Sequence, residues 1–367
     1  MNNNICVRVA KEKDVKDFYR IWKTCFTDSD SFSVWLFKNR FFSEYSVCLE
    51  SDGEIVSAMQ AMPCTFGVRG KALHGAMLCG VSTDPEHREK GYMRKIFTLE
   101  MNLLREKGVL LAAHTPDILG NYYKFGHFPV ADALYFQGEK KMAECKEVLF
   151  FEKSRWDELY PLYEENIAQR YSGVLRRTKD EFIRKGDDYA ADGGRCIVLK
   201  DKKIQAYAFV YSLENEIICP EMVANDGFYD ALIEELFSLA DGRKISVKLP
   251  PDVEINSEFG EKKYLKKGVA GVCNLSEILR QLDVNCPYAI ECNDSIVPEN
   301  SGIFRFDGTR VDTQAAIKID VGHFLGVLMG YVSLDEISEF VTIYNQDGYD
   351  YINRVLPKCK CYIIDEY

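Results

Sequence analysis

The segment Gly80–Glu100, GVSTDPEHREKGYMRKIFTLE, leaves this chain the least conformational freedom. It reads as an apolar strand, a short polar loop carrying Arg88-x-x-Gly91, and a helix. The helix places Met93, Ile96, Phe97, Met101 and Leu104 on one face. A helix start has N–H groups without partners and about half a positive charge, so it suits a diphosphate. Gly91 lets the backbone approach such a ligand, and Arg88, Lys90 and Arg94 add charge-assisted contacts. The strand residues Val81, Ser82 and Thr83 offer backbone groups to the amides of an extended pantetheine arm. These features describe a coenzyme A site, its loop completed by Glu89, Tyr92 and Met93, with Asn121 added from further along the chain.

The surrounding sequence is α/β. Helical Asp14–Thr27 precedes SVCLE and IVSAMQAM, which flank Ser51-Asp52-Gly53-Glu54. Asp-Gly supports positive φ, so this is a hairpin signal. Strand 109–113 is apolar throughout, and ALYFQG closes the first region. Between the helical patterns, TDSDSFSVW reads as a loop. Residues 145–280 repeat the order of strands, helix and strand: helical Ser154–Gln169 and Lys179–Lys185, strands RCIVLK, IQAYAFVY and EIICPEMVA, a helix at Phe228–Leu239, and strand ISVKLP. There the strand-to-helix turn is Asn225-Asp226-Gly227, without an Arg or a run of amides suited to phosphate. Residues 281–367 differ again, with strands YAIEC, GIFRF and AAIKID and helices HFLGVLMG, SLDEISEF and DGYDYINRVL. The expected units are 1–142, 143–280 and 281–367.

The 367 residues carry 57 Asp and Glu against 46 Lys and Arg, a net charge of −11. That field disfavours a nucleic-acid partner and favours a cationic substrate. No apolar run is long enough to span a membrane. The opening MNNNICVRVAKEKD lacks a secretory pattern, so a cytoplasmic protein is expected. The thirteen cysteines form no C-x-x-C pair, and Cys359 and Cys361 do not have zinc-ligand spacing. They are expected to be reduced thiols, with no metal site.

On these residues the sequence resembles the GNAT superfamily, whose loop motif is Arg/Gln-x-x-Gly-x-Gly/Ala. Met93 departs from the small last position. HREKGYMRKIF is similar to the Eis ("enhanced intracellular survival") acetyltransferases, which also place a bulky residue there. The resemblance implies an active GNAT domain, a second GNAT-like domain without a cofactor loop, and a sterol-carrier-protein-like C-terminal domain. It also implies acetyl-CoA as cofactor and a homo-oligomer, commonly a hexamer.

Acetyl transfer needs a neutral nitrogen and a proton for the departing thiolate. In GNYYKFGHF, Tyr122 lies four residues before Gly126, the spacing of the GNAT acid, with Tyr123 as its neighbouring competitor. A phenol of pKa ~10 can donate toward a thiolate. The resemblance further implies that the last residue, Tyr367, turns inward and uses its carboxylate as base. An α-carboxyl near pKa ~3.5 faces an ammonium near ~10.4, so anchoring the ammonium is an equal reading. A frayed tail is the alternative to both. Asp28 and Asp30 are candidates for holding amines, Trp35 for stacking on them, and Glu366 for the cationic substrate. His114 is read as a packed core histidine and His87 as a loop residue.

The expected function is acetyl-CoA-dependent N-acetylation of primary amines on an aminoglycoside-like polyamine or a lysine-bearing protein. The alternatives are N-myristoyltransferase-like acyl transfer and a non-catalytic lipid- or ligand-binding protein.

Overall fold

The computed structural model describes residues 4–142, 148–256, 258 and 260–366. The first stretch runs β1 (Ile5–Val9), α1 (Val15–Cys25), α2 (Asp30–Asn39), β2 (Ser46–Ser51), β3 (Glu54–Val68), β4 (Lys71–Thr83), α3 (Tyr92–Glu106), β5 (Leu111–His114), α4 (Gly120–Tyr123) and β6 (Phe128–Pro129). The β2–β3 turn puts both Asp52 and Gly53 at positive φ, 54° and 88°, as its sequence demands. The expected loop at 27–35 is instead the start of α2. Ser29 caps it by accepting from the Phe32 N–H at 3.1 Å, and Leu36 and Phe37 bury its inner face. Three serines and two aspartates read as a loop because they favour caps as well as turns.

The next stretch contains β7 (Asp132–Glu139), α5 (Tyr160–Tyr163), β8 (Val174–Leu175), α6 (Lys179–Ala191), β9 (Arg195–Asp201), β10 (Lys203–Ser212), β11 (Glu216–Ala224), α7 (Tyr229–Ala240), β12 (Lys244–Leu249), β13 (Glu261–Lys266), β14 (Val269–Val272) and α8 (Leu275–Leu282). The single helix expected over 154–169 is broken into a 3-10 turn, α5 and a π turn. Pro161 at the start of α5 has no N–H to continue the preceding turn.

One sheet has the order β1-β2-β3-β4-β5-β14-β6, with β8 paired to β3, and the other β13-β7-β12-β11-β10-β9. Two strands are therefore exchanged. Strand β7, expected to close the first region, pairs with β12 and β13. Strand β14, from far down the chain, sits between β5 and β6. Hydrophobic alternation announces a strand but not its neighbour. Each sheet contains a parallel pair joined by a helix: β4 and β5 through α3, β11 and β12 through α7.

The last region holds β15 (Ala289–Asn293), β16 (Gly302–Arg305), β17 (Arg310–Val311), β18 (Ile317–Asp320), α9 (Val321–Met329), β19 (Val341–Ile343) and α10 (Gln346–Val355). Its five strands form a third sheet, β17-β16-β15-β18-β19. Helix α9 is apolar nearly all round and packs on β14, tying this region to the first sheet. Every described cysteine is a free thiol.

Beyond α10 the chain runs into the interior. Cys361 bridges Ser172, and Tyr362, Ile363 and Ile364 are buried. Their side chains alternate, as in any extended segment. Ile363 joins the core beneath the first sheet, while Tyr362 and Ile364 join the core of the second. Charge fixes the rest. Asp365 Oδ1 accepts from Arg177 at 2.9 Å, and the same guanidinium grips Glu221 on β11 at 2.8 and 3.1 Å. Tyr207 and Tyr189 also donate to Glu221, at 2.8 and 3.2 Å. Lys248 donates to the Ile364 carbonyl at 3.1 Å and to Glu366 at 2.7 Å, and Lys185 to the Glu366 carbonyl at 2.9 Å. The frayed tail does not occur over 361–366. Tyr367 lies outside the described residues.

Two outcomes follow from this packing. Ile363→Ala should cost about 2–4 kcal/mol in urea unfolding, because a fully buried aliphatic side chain is removed. Arg177→Met should cost about 3–5 kcal/mol, because it strands two buried carboxylates. Burial works to raise the Glu221 pKa, but Arg177 outweighs it and holds the carboxyl below its usual range. The wild type's Glu221 contribution is therefore present above the ordinary carboxylate pKa and is lost as pH falls through the lowered folded value. Acid unfolding should begin at higher pH in the variant.

Candidate active site

The site begins where two parallel strands part. β4 and β5 pair only at Gly75–Met77 with Leu111–Ala113. Beyond that β4 bulges: Gln60 faces Cys79 and Ala58 faces Ser82, so Gly80 and Val81 oppose the single residue Met59. Gly80 takes φ of 60°, and a Cβ there would sit 2.8 Å from Trp22 Cζ3. The bulge therefore requires glycine. It turns β4 away from β5 and leaves the edge at Leu78–Val81 facing His114–Asp117.

Helix α3 starts at the far end of β4. Its cap is Gly91, left-handed at φ 73°, and Glu89 is also left-handed at 64°. Both bend the loop so that the fifteen-residue helix points its free N–H groups outward. The cations hold this loop as well as charging it. Arg88 donates to the Thr83 carbonyl at 3.1 Å, Lys90 to the Glu86 carbonyl at 3.3 Å, and Arg94 to the Lys124 carbonyl at 3.1 Å. The last contact couples the helix start to the turn of Tyr122. Asn121, in the same turn, is exposed, and Met93 is half-buried. An exposed helix start, a glycine bend, three cations and a parted strand edge fit an acyl-CoA: a diphosphate at the loop and an arm along β4.

The opening leads into a cavity of about 440 Å³ between the first two sheets. Tyr122 lines it, its ring packed edge-on against His114 with centroids 4.1 Å apart. Burial, assisted by Asp117, raises the Tyr122 phenol, so it stays protonated through neutral pH. Burial pushes His114 well below 6.5, and its Nε2 has no partner among the described residues. Neighbouring Tyr123 is exposed, and its ring stacks on Phe128, 5.4 Å away.

The candidate substrate groups separate. Asp28 lines the cavity and accepts from the Trp22 indole at 3.0 Å. Asp30 is exposed and pairs with Lys23 at 2.8 Å, apart from the cavity lining. The Trp35 indole donates to Asp188 at 3.0 Å, where Arg40 also binds; the tryptophan in the cavity wall is Trp22. Glu366 lines the cavity with its charge answered by Lys248 and by Lys267 at 3.8 Å. Desolvation opposes its ionisation, but the two lysines prevail and hold it down to about 2.

Several wall residues escaped sequence reasoning: Asp117, Lys185, Asp188, Tyr189, Asp192 and Tyr211. All but Asp117 come from the second stretch, about 95 to 120 residues beyond the loop. Asp117 follows β5 directly, and its place beside the β4 opening is the signal that could have found it.

In the second sheet β11 and β12 also pair over only part of their length, Glu216–Cys219 with Lys244–Val247. The turn after β11 carries Asp226, which binds Arg170 at 2.9 Å. An acidic turn at that position does not suit a diphosphate. The described residues hold no group of His, Cys, Asp and Glu suited to a metal ion, and no helix is long and apolar enough to cross a membrane.

None of the curated proteins matches the chain in sequence. Among solved structures, a conserved protein of Enterococcus faecalis V583 described as a probable N-acyltransferase superposes with a TM-score of 0.82 at 16% identity, covering 100% of both chains. A GCN5-related N-acetyltransferase from Anabaena variabilis gives 0.81 at 14%, covering 99% of this chain and 100% of that one. Eis1 from Mycobacterium abscessus gives 0.75 at 14%, with the same coverage. At these identities the likeness is one of fold, and the two parted-strand sheets are consistent with tandem GNAT units. Residues 6–130 match the acetyltransferase (GNAT) domain family, the span that contains the β4 bulge, the Arg88–Gly91 loop and Tyr122. The chain therefore carries a GNAT acetyltransferase domain over its first third.

Proposed function

We propose that the chain transfers an acetyl group from acetyl-CoA to a primary amine of a cationic substrate, an aminoglycoside-like polyamine or a lysine side chain. The observation that carries this reading is a single cavity shared by the β4 opening, Tyr122 and the carboxylates Asp28, Asp117 and Asp192. The net charge of −11 draws cations toward it. Trp22, Phe26, Tyr189 and Tyr211 add aromatic faces on which an ammonium can rest. Acetyl-CoA, when bound, supplies an activated thioester carbonyl.

Val81–Thr83 would hold the pantetheine arm, and Arg88, Gly91 and Arg94 the diphosphate. Tyr122 would donate the proton that the departing thiolate needs. From a phenol at or above ~10 to a thiolate whose acid lies near ~8.5, the transfer is uphill by at least about 2 kcal/mol, a modest part of an enzymatic barrier. The terminal carboxylate of Tyr367 would anchor the ammonium, and the buried path of residues 361–366 supports that role by bringing Glu366 to the cavity wall. Asp28, Asp117 and Asp192 would take the substrate's remaining charges in place of Glu366, which Lys248 and Lys267 already satisfy.

The end-to-end likeness to Eis1 supports an Eis-type arrangement, in which the third sheet is the sterol-carrier-like region and the protein a hexamer. Such a reading places the enzyme in the cytoplasm.

The test is thiol release from acetyl-CoA and longer acyl-CoAs with aminoglycosides, polyamines and lysine peptides. Acetyl-CoA should be the fastest donor. Tyr122→Phe should lower kcat by roughly 10²–10⁴-fold while CoA binding persists. Removing Tyr367 should raise the KM for the amine and abolish most turnover. No thiol release with any amine, or full activity without Tyr122, would sink the reading.

A further inference from the structure

Lys185 has a place in the fold that acetyl transfer does not by itself require. It lies on α6, in the second stretch, and is 4% exposed. It lines the large cavity and also a second, smaller one of about 50 Å³, whose wall sets Arg40, Arg177, Glu181 and Asp365 beside the apolar Met77 and Leu175. That volume accommodates a water molecule or two. Asp365 Oδ2 is buried there without a hydrogen-bond partner among the described residues, so a water in this space has an acceptor to donate to. Lys185 thus forms part of the wall of both the large cavity and the small chamber.

We propose that Lys185 takes the proton from the acceptor's ammonium in the large cavity and passes it to water in the small one. This rests on the acetyl-transfer reading above. In the balanced reaction an R–NH₃⁺ loses one proton to neutral Lys185, and its lone pair forms the N–C bond as the thioester C–S bond breaks. The thiolate takes a proton from Tyr122, which regains one from the second N–H. Lys185 returns its proton to the chamber, so one proton leaves per turnover.

The other groups around the cavity are poorly matched to this task. From an ammonium near ~10.4, transfer to an ordinary carboxylate is uphill by about 10⁶-fold. Burial makes His114 a weaker base still than free imidazole. Burial also lowers Lys185, to about 8. Arg177 and Arg40 push the same way, and Asp188 and Asp365 oppose them. Glu221 of β11, Cys79 of β4, Tyr189 of α6 and the Glu366 carbonyl also face Lys185. The uphill factor to a base at about 8 is only about 250. The sign follows: the lysine must be neutral to act, so turnover rises with pH through about 8 and then levels.

The experiment compares wild type, Lys185→Met and Lys185→Arg with two acceptors. One is an aliphatic diamine, charged at neutral pH; the other is an aromatic hydrazide, whose nitrogen is already neutral. With the diamine both variants should lose at least 100-fold in kcat/KM, and the limb near pH 8 should move toward the amine's own pKa. With the hydrazide they should stay within about threefold of wild type. Lys185→Arg keeps the positive charge beside Asp188 and Asp365, so its loss with the diamine alone separates proton transfer from packing. Equal losses with both acceptors, or none with either, would overturn the proposal. A wild type inactive toward every amine would instead overturn the acetyl-transfer reading.

Discussion

The fold closes around one guanidinium. Arg177 lies between Glu221 of the second sheet and Asp365 of the tail, each essentially excluded from water. One cation facing two buried carboxylates tolerates little displacement, since moving any member strands charge in the interior. Tyr189 and Tyr207 complete the shell of Glu221, so the network is anchored on α6 and β10 as well. Its effect reaches the chemistry through geometry. With Asp365 fixed, Glu366 arrives at the cavity, and Lys185 meets the Glu366 carbonyl on the other side. The second sheet has an acidic turn where the first has the Arg88–Gly91 loop, and it serves as the seat of the tail.

Much of the first sheet's candidate site was legible because it is local. Strand, Arg88-x-x-Gly91 and helix follow one another without interruption, and each residue's placement depends on neighbours within one or two turns. Tyr122 was legible for the same reason, eight residues beyond a buried strand and four before a glycine. What the sequence does not display is which distant segments face one another. Trp22 has the spacing of an ordinary core residue of α1, and nothing local distinguishes it from Trp35, whose indole serves the Asp188–Arg40 pair. Nothing local marks Lys185, the last residue of the helical pattern 179–185, because its burial depends on Arg40 and the tail, both distant in the chain, as well as on Arg177.

Charge accounting shows the same limit. Glu366 looks like an acid for a cationic substrate until Lys248 and Lys267 are placed beside it. Asp30 looks equivalent to Asp28 until α2 turns it toward Lys23 and solvent. A count of acidic residues gives the sign of the field and says nothing of which carboxylates remain to be satisfied.

The exchanged strands bear on how the molecule is made. Strand β5 has its outer neighbour only when Val269–Val272 joins it, some 140 residues after β6. At ordinary translation speeds of about 5–20 residues per second, the acetyltransferase sheet waits roughly 7–28 s for that strand. During the wait an apolar edge lies unpaired, open to any other extended segment. Nascent chains of this protein are thus most exposed to mispairing well after the Arg88–Gly91 loop has emerged.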